Sequence, residues 1–356
     1  MTTGSFDEQL QQFIGIAINQ KASDIHLITG SPAVIRRDGR LYAISQEVLS
    51  ADTISAMLKS VLQEERYAKF IDKKEADFSM GYESVRIRAN GYFEKGSPAM
   101  SLRLIPAEIP KLDTLGVPEI VRNFTKASQG FVLVTGPTGH GKSTTLASLI
   151  QDINDTRNEH IITLEDPIEY VFTPKQSIIS QREVGIDTLS FAAGLRAALR
   201  EDPNVILVGE MRDLETIETA LTLAETGHLV LATLHTNSAG QSADRIIDVF
   251  PEHKQAQIRF QLANVLLGIA SQRLLPKIQG GRVLVSEVMT ATSAIRSLIR
   301  EGKVHQIPNV IQTSAAEGMI SLDRQLAQLV GQGVLTAEEA LAWAIDPKTL
   351  KMQMYQ

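Results

Sequence analysis

The sequence predicts an α/β protein in two parts: an amino-terminal α/β domain with mostly antiparallel strands, then a larger core of parallel strands and helices that ends in a helical region. Three observations carry this reading. The stretch GPTGHGKS at Gly136–Ser143 is a complete G-x-x-x-x-G-K-[ST] phosphate-binding loop set between an apolar strand and a helix. From Phe131 onward, short apolar strands alternate with helical patterns, as expected of a largely parallel sheet with helices on its faces. Pro106, Pro110 and Pro118 punctuate a stretch without strong periodicity, which makes 106–118 the linker between a domain at 1–105 and a domain at 119–356.

In the first part, Phe6, Leu10, Phe13, Ile14 and Ala17 recur at helical spacing and predict an amphipathic helix over 6–20. SDIHLI at Ser23–Ile28 alternates as a strand, and Ala33–Ile44 reads as two strands broken by a hairpin turn at Arg37, Asp38 and Gly39. A helix follows from about Thr53 to Phe70. VRIRANGYF at Val85–Phe93 and MSLRLI at Met100–Ile105 then read as two more strands.

In the second part, FVLVT at Phe131–Thr135 is the strand that feeds the phosphate loop, and Leu146, Leu149, Ile150 and Ile153 form the apolar stripe of the helix that leaves it. His160–Leu164, Val205–Val208 and Leu229–Leu234 read as further core strands. Helical patterns at Phe191, Leu195 and Leu199 and at Ile217, Leu221 and Ala224 separate them. From about Pro251 the chain reads as helical, interrupted by one strand at Val283–Val288, so a helical subdomain is expected at the carboxyl end.

Composition bounds the function. With 356 residues, 43% hydrophobic and 21% charged, the chain has the make-up of a soluble globular protein with room for two domains. No segment approaches the ~18 consecutive apolar residues of a membrane span. MTTGSFDEQL has neither the basic start nor the apolar stretch of a secretory signal, so a cytoplasmic protein without direct membrane insertion is expected. The lack of cysteine excludes disulfides and thiolate zinc sites. A net charge of −6 argues against a broad basic surface, and no nucleic-acid partner is expected.

The chemistry starts at the loop. Gly136, Gly139 and Gly141 let successive backbone N–H groups turn toward one anion, with Pro137, Thr138, His140 and Thr144 completing the binding stretch. Lys142 adds a point charge for the β- and γ-phosphates, and Ser143 offers a hydroxyl to Mg²⁺. A nucleoside triphosphate with Mg²⁺ is therefore expected at the loop.

Three strand ends supply the rest. IITLEDPIE at Ile161–Glu169 places Glu165, Asp166 and Glu169 where a core strand stops; a triphosphatase needs one carboxylate to position or deprotonate water and another to organise Mg²⁺. VILVGEMRD at Val205–Asp213 is an apolar strand ending in Glu210, which would hold Mg²⁺ through water or orient the hydrolytic water. GHLVLATLHT at Gly227–Thr236 brackets a core strand with His228 and His235, whose imidazoles can donate to phosphate oxygens or report nucleotide state across a subunit boundary.

In this order and spacing, the boxes GPTGHGKST, TLEDPIE, ILVGEMRD and GHLVLATLHT resemble those of the secretion-type P-loop ATPases, hexameric motors of pilus and type II secretion machines. AIRSLIRE at Ala294–Glu301 is similar to the AIRNLIRE signature of the pilus-retraction branch, with Ser297 in place of Asn. SDIHL at 23–27 and QRE at 181–183 extend the resemblance over nearly the whole chain. The short chain and its lack of cysteine also fit that branch, because the extension ATPases typically carry an extra amino-terminal domain and a tetracysteine metal module.

The resemblance implies a PAS-like first domain and a RecA-like core. It implies a homohexamer, held at the inner membrane through a pilus platform protein, with a paralogous motor as a further partner. It assigns Glu169 as catalytic base with Glu165 as second candidate, and Arg88 and Arg103 as arginines that close over the γ-phosphate. Ala294, Ile295, Arg296, Leu298, Ile299, Arg300 and Glu301 become the coupling helix, with Ile295, Leu298 and Ile299 on its packed face and Arg296 and Arg300 on another. His140 stands where the family often has Ser, an exchange expected to be tolerated because the loop works through backbone N–H groups. The expected task is ATP-driven retraction of a type IV pilus. The competing readings are an assembly or secretion motor of the same family and a non-hydrolysing regulator in a mixed ring, the latter disfavoured by the intact acids at Glu165, Glu169 and Glu210.

Overall fold

The computed structural model describes residues 7–37, 40–82, 85–105 and 108–354. Phe6 of the first helix, Asp38 and Gly39 of the hairpin turn, and Pro106 of the linker lie outside the described residues. The chain divides into two compact units: Met1–Glu108 together with Glu169–Val171, and the remainder.

In the first unit, β1 (Asp24–Ile28), β2 (Pro32–Arg37), β3 (Arg40–Val48), β4 (Glu75–Tyr82), β5 (Val85–Glu94) and β6 (Ser97–Ile105) form one sheet in the order β3-β2-β1-β6-β5-β4. Every pairing in it is antiparallel. Alternation sends Ile25, Leu27, Ile35, Ile87, Ala89 and Leu102 to a buried face. There they meet Leu10, Phe13, Ile14 and Ala17 of α1 (Glu8–Asn19) and Ile54, Met57, Leu58 and Phe70 of α2 (Ala51–Lys73). Both helices start on side-chain caps: Asp7 accepts from the N–H groups of Gln9 and Leu10, and Ser50 from that of Thr53. Sequence periodicity does not reveal β4, because EADFSMGY buries only Phe78 and Met80 and an edge strand carries a weak alternation.

In the second unit, β7 (Gly130–Thr135), β8 (His160–Glu165), β9 (Ile178–Glu183), β10 (Val205–Val208), β11 (Leu229–Leu234), β12 (Leu266–Pro276) and β13 (Arg282–Thr290) build a sheet in the order β13-β12-β7-β11-β10-β8-β9. Only the β12–β13 pair is antiparallel among the described strands. The helices of this unit are α3 (Leu112–Leu115), α4 (Glu119–Asn123), α5 (Lys142–Thr156), α6 (Phe191–Ala198), α7 (Leu214–Glu225), α8 (Ala239–Asp248), α9 (Glu252–Val265), α10 (Ser293–Arg300), α11 (Ile307–Thr313), α12 (Leu322–Gly331), α13 (Ala337–Trp343) and α14 (Pro347–Met354). Strands β7, β10 and β11 are buried at every position, as expected where helices cover both faces of a parallel sheet. A separate apolar cluster of Leu275, Val285, Leu322, Leu326, Leu335, Ala340 and Leu350 seats α12, α13 and α14 on β12 and β13.

The expectation of helices beyond Pro251 with a single strand is corrected at Leu266–Pro276. LLGIASQRLLP is a strand, β12, hydrogen-bonded to β7 on one side and β13 on the other. The segment is buried on both faces, including the polar Ser271, Gln272 and Arg273, so it shows no period that separates strand from helix. Because β7, β8, β10 and β11 are parallel, the phosphate loop, Glu165, Glu210 and His235 all emerge at the carboxyl edge of this sheet, the usual ligand edge of an open parallel sheet.

Candidate active site

The phosphate loop is shaped by glycine. Gly136 (φ 142°) and Gly141 (φ 81°) adopt backbone conformations that side chains disfavour, and a Cβ on Gly136 would stand 2.3 Å from the carbonyl oxygen of Gln272. Gly141 is the N-cap of α5, yet no side chain caps that helix, so its first-turn N–H groups point into the loop as an anion-binding terminus. Gly139 (φ 80°) completes the turn. Lys142 is buried at 8% exposure and its Nζ donates to the Pro137 carbonyl at 3.0 Å, folding the ammonium back over the loop. Ser143 is exposed at the start of α5, where its hydroxyl can reach a bound cation.

His235, in the first residue after β11, joins the loop to the acid after β10. Its Nδ1 lies 3.4 Å from Lys142 Nζ and its Nε2 lies 3.1 Å from Glu210 Oε1. An ammonium only donates and a carboxylate only accepts, so this bridge is satisfied by the neutral imidazole carrying its proton on Nε2. Glu210 also accepts from Arg212 Nη2 at 2.7 Å. Burial pushes the Glu210 carboxyl up, but the Arg212 hydrogen bond and charge, with the hydrogen bond from His235, outweigh it, leaving a pKa below the ordinary value and an ionised acid. The hydroxyl of Thr233 donates to the Gly209 carbonyl at 2.5 Å, and so pins the end of β10 to β11.

Glu165 ends β8 at the same edge, where its Oε1 accepts from Thr163 Oγ1 at 2.7 Å and Gln181 Nε2 at 3.3 Å. Gln181 Oε1 in turn accepts the N–H of Phe172, and Glu183 accepts that of Ile168, so the QRE stretch braces the acidic loop. Glu169 belongs to the three residues that group with the first unit. His228 is not part of the cluster. It precedes β11 at the opposite end of a six-residue strand, about 20 Å along the sheet at ~3.3 Å per residue, and its Nδ1 donates to the Leu223 carbonyl.

In the first unit, Arg88 and Arg103 face each other directly across β5 and β6. Two guanidinium groups in that register repel, and Asp24, opposite Arg103 on β1 and 2.9 Å from its Nε, offsets only one of them. A matched pair of exposed arginines on one sheet face is suited to meet an anion.

Helix α10 departs from expectation. Ile295 and Ile299 are fully buried and Leu298 packs partly against the same core, whereas Ala294, Arg300 and Glu301 are exposed. Arg296, expected on the surface with Arg300, instead spends its guanidinium on the carbonyls of Ala263, Asn264, Leu266 and Ala291. These are the last turn of α9, the first residue of β12 and the residue after β13, so Arg296 caps a helix and ties three elements together. The expected result for Arg296→Ala is a loss of about 1–3 kcal/mol of stability, the scale for removing a charged donor from half-buried carbonyls. Arg300→Ala, on the exposed face, leaves the melting temperature unchanged, and thermal denaturation of the two variants checks the contrast.

Sequence reasoning missed Arg212, although it stands two residues after Glu210, and Gln272, for which the sequence offers no signal. Gln272 is buried on β12, with Oε1 accepting from Thr145 Oγ1 and Nε2 donating to the His140 carbonyl.

A glycine-built anion loop, a buried lysine and an ionised acid at one edge of a parallel sheet define a P-loop ATPase. The chain belongs to the type II/IV secretion system protein family, whose sequence profile matches residues 2–342. It is 44% identical over 340 residues to the type IV pilus retraction ATPase PilT of Pseudomonas aeruginosa, covering 95% of this chain and 99% of that protein. It is 46% identical over 309 residues to a twitching motility protein of Neisseria gonorrhoeae, covering 86% and 83%. The crystal structure of the pilus retraction motor PilT with bound ADP matches with a TM-score of 0.91 at 49% identity, over 96% of this chain and 99% of that one. No helix among the described residues is long and apolar enough to cross a membrane.

Proposed function

We propose that this ATPase is a ring motor of six copies that powers retraction of a type IV pilus. The observation that carries the hydrolytic reading is the linkage of Lys142 through His235 to Glu210 at the carboxyl edge of the parallel sheet. Likeness to retraction ATPases over nearly the full chain supports the task.

The β- and γ-phosphates of ATP are received by the N–H groups of residues 136–143 and by Lys142. Ser143 and Glu210 would hold Mg²⁺, which neutralises phosphate charge when bound. Glu169 directs the attacking water, and Arg88 and Arg103 meet the charge that develops in the transition state. Alternating closure and opening around the ring turns its pore. The exposed residues of α10, Ala294, Arg300 and Glu301, pass that motion to an inner-membrane platform protein, and a paralogous motor can share the load.

The assignment of the base is tested by turnover of two conservative variants. Glu169→Gln is expected to lose about 10²-fold or more in kcat, the usual scale for a general base. Glu165→Gln is expected to lose far less, because that carboxylate is already occupied by Thr163 and Gln181. Near-parental turnover of Glu169→Gln, with Glu165→Gln inactive, would reverse the two roles.

A further inference from the structure

We propose that His140 is a positioning residue: its side chain fastens the phosphate loop to β12 and to α13, and nucleotide affinity depends on that fastening. This rests on the phosphate-loop reading above and adds to it a role for the one loop side chain whose backbone alone was expected to matter.

The geometry begins with unequal strands. Pairing between β12 and β7 stops at Ser271 opposite Thr135, because β7 ends there and becomes the loop, while β12 continues to Pro276. Beyond that point no described strand lies beside that edge of β12, and its donors need other partners. His140 supplies one. The N–H of Leu274 donates to His140 Nδ1 at 3.0 Å, taking the place of a ladder bond. From the same strand, Gln272 Nε2 donates to the His140 carbonyl at 2.8 Å while Gln272 Oε1 accepts from Thr145 of α5. The loop is thus held at residue 140 by both its main chain and its side chain.

On its other side the imidazole packs edge-on against the Trp343 indole, with ring centroids 5.3 Å apart and planes at 62°. That indole is fixed in turn: Nε1 donates to Glu339 at 3.0 Å, and the Arg273 guanidinium lies 6.0 Å from the ring centroid. Nδ1 can accept only while it is unprotonated. Burial, then the positive charges of Arg273, Lys142 and Arg282, press the imidazole pKa below its ordinary value and favour the accepting form. Gly141 and Lys142 follow immediately, so slack at residue 140 is slack in the N–H groups that cradle phosphate.

The test uses the purified full-length protein, with binding of a fluorescent ADP analogue in the presence of Mg²⁺ and the kcat and KM of ATP hydrolysis. His140→Leu fills the space without an acceptor, orphaning the Leu274 N–H; ADP binding and KM are expected to weaken about tenfold, the scale of one unmade buried hydrogen bond. Turnover at saturation should stay within about twofold, because ground state and transition state lose the same anchor. His140→Asn places an amide oxygen near the position of Nδ1 and is expected to recover most of the affinity. Trp343→Leu, which removes only the ring contact, falls between the two. If His140→Leu does not fold, His140→Ser, whose hydroxyl is too short to reach Leu274, takes its place. Parental affinity in His140→Leu or His140→Ser, or an Asn variant as weak as the Leu one, overturns the proposal. Parental ADP affinity in Lys142→Ala would instead overturn the phosphate-loop reading itself.

Discussion

Replacing Lys142 by alanine is expected to abolish ATP turnover while leaving a folded protein. The side chain is buried at the base of the loop, where its partners include the carbonyl of Pro137 and a ring nitrogen of His235. Pro137 is half-buried and His235 exposed, so water can take the place of the ammonium at both. The cost falls on the reaction. Loss of one preorganised charge aimed at the transition state is worth about 10²–10³-fold in kcat, and Lys142 also contributes to phosphate binding, so turnover should drop to background. Steady-state hydrolysis beside a thermal melt checks both halves of the statement; turnover like that of the parent would mean that ATP is handled elsewhere.

Glu210→Gln is expected to have the next largest effect. The substitution removes the charge and leaves one acceptor oxygen where there were two, so either the Arg212 bond to Oε2 or the His235 bond to Oε1 is kept and the other donor meets an amide NH2. A protein that needed Glu210 merely to pin these side chains would keep one of the two contacts, and its turnover would change little. A protein that uses it as an ionised acid near the phosphates should lose about 10²-fold or more in kcat and retain nucleotide binding. The acid is held ionised by its surroundings, so the variant removes a charge that is present at neutral pH. Measuring ADP affinity beside turnover distinguishes the two, since a structural role predicts that both stay near parental values.

Much of the larger unit was legible in the sequence because its chemistry and its fold use the same residues. The loop has to follow a buried strand and open a helix, and β7 and α5 stand in those places. Glu165, Glu210 and His235 were readable as strand-end residues, and parallel pairing then forces strand ends to one edge. Nothing in the sequence tells which end of a strand a residue occupies relative to the ligand until the pairing direction is set, and that is why His228 and His235 looked equivalent. Edge and doubly buried strands were the other blind spot: β4 and β9 alternate weakly, and β12 does not alternate at all. Arg296 illustrates a third limit. Helical spacing groups it with Arg300, but its guanidinium is drawn inward by four carbonyls, three of them from a segment 30 to 33 residues away. The Arg88 and Arg103 pairing depends in the same way on register, which no local pattern in β5 or β6 specifies.

The central claim is that hydrolysis at this loop drives pilus retraction, and the most direct measurement is retraction in living cells. In a host deleted for its own copy of this gene, expression of the parent chain is expected to restore pilus shortening, followed in single cells with labelled pili, and Lys142→Ala expressed at the same level is expected to restore none. Retraction at parental speed with Lys142→Ala, or failure of the parent chain to restore it at all, would contradict the account.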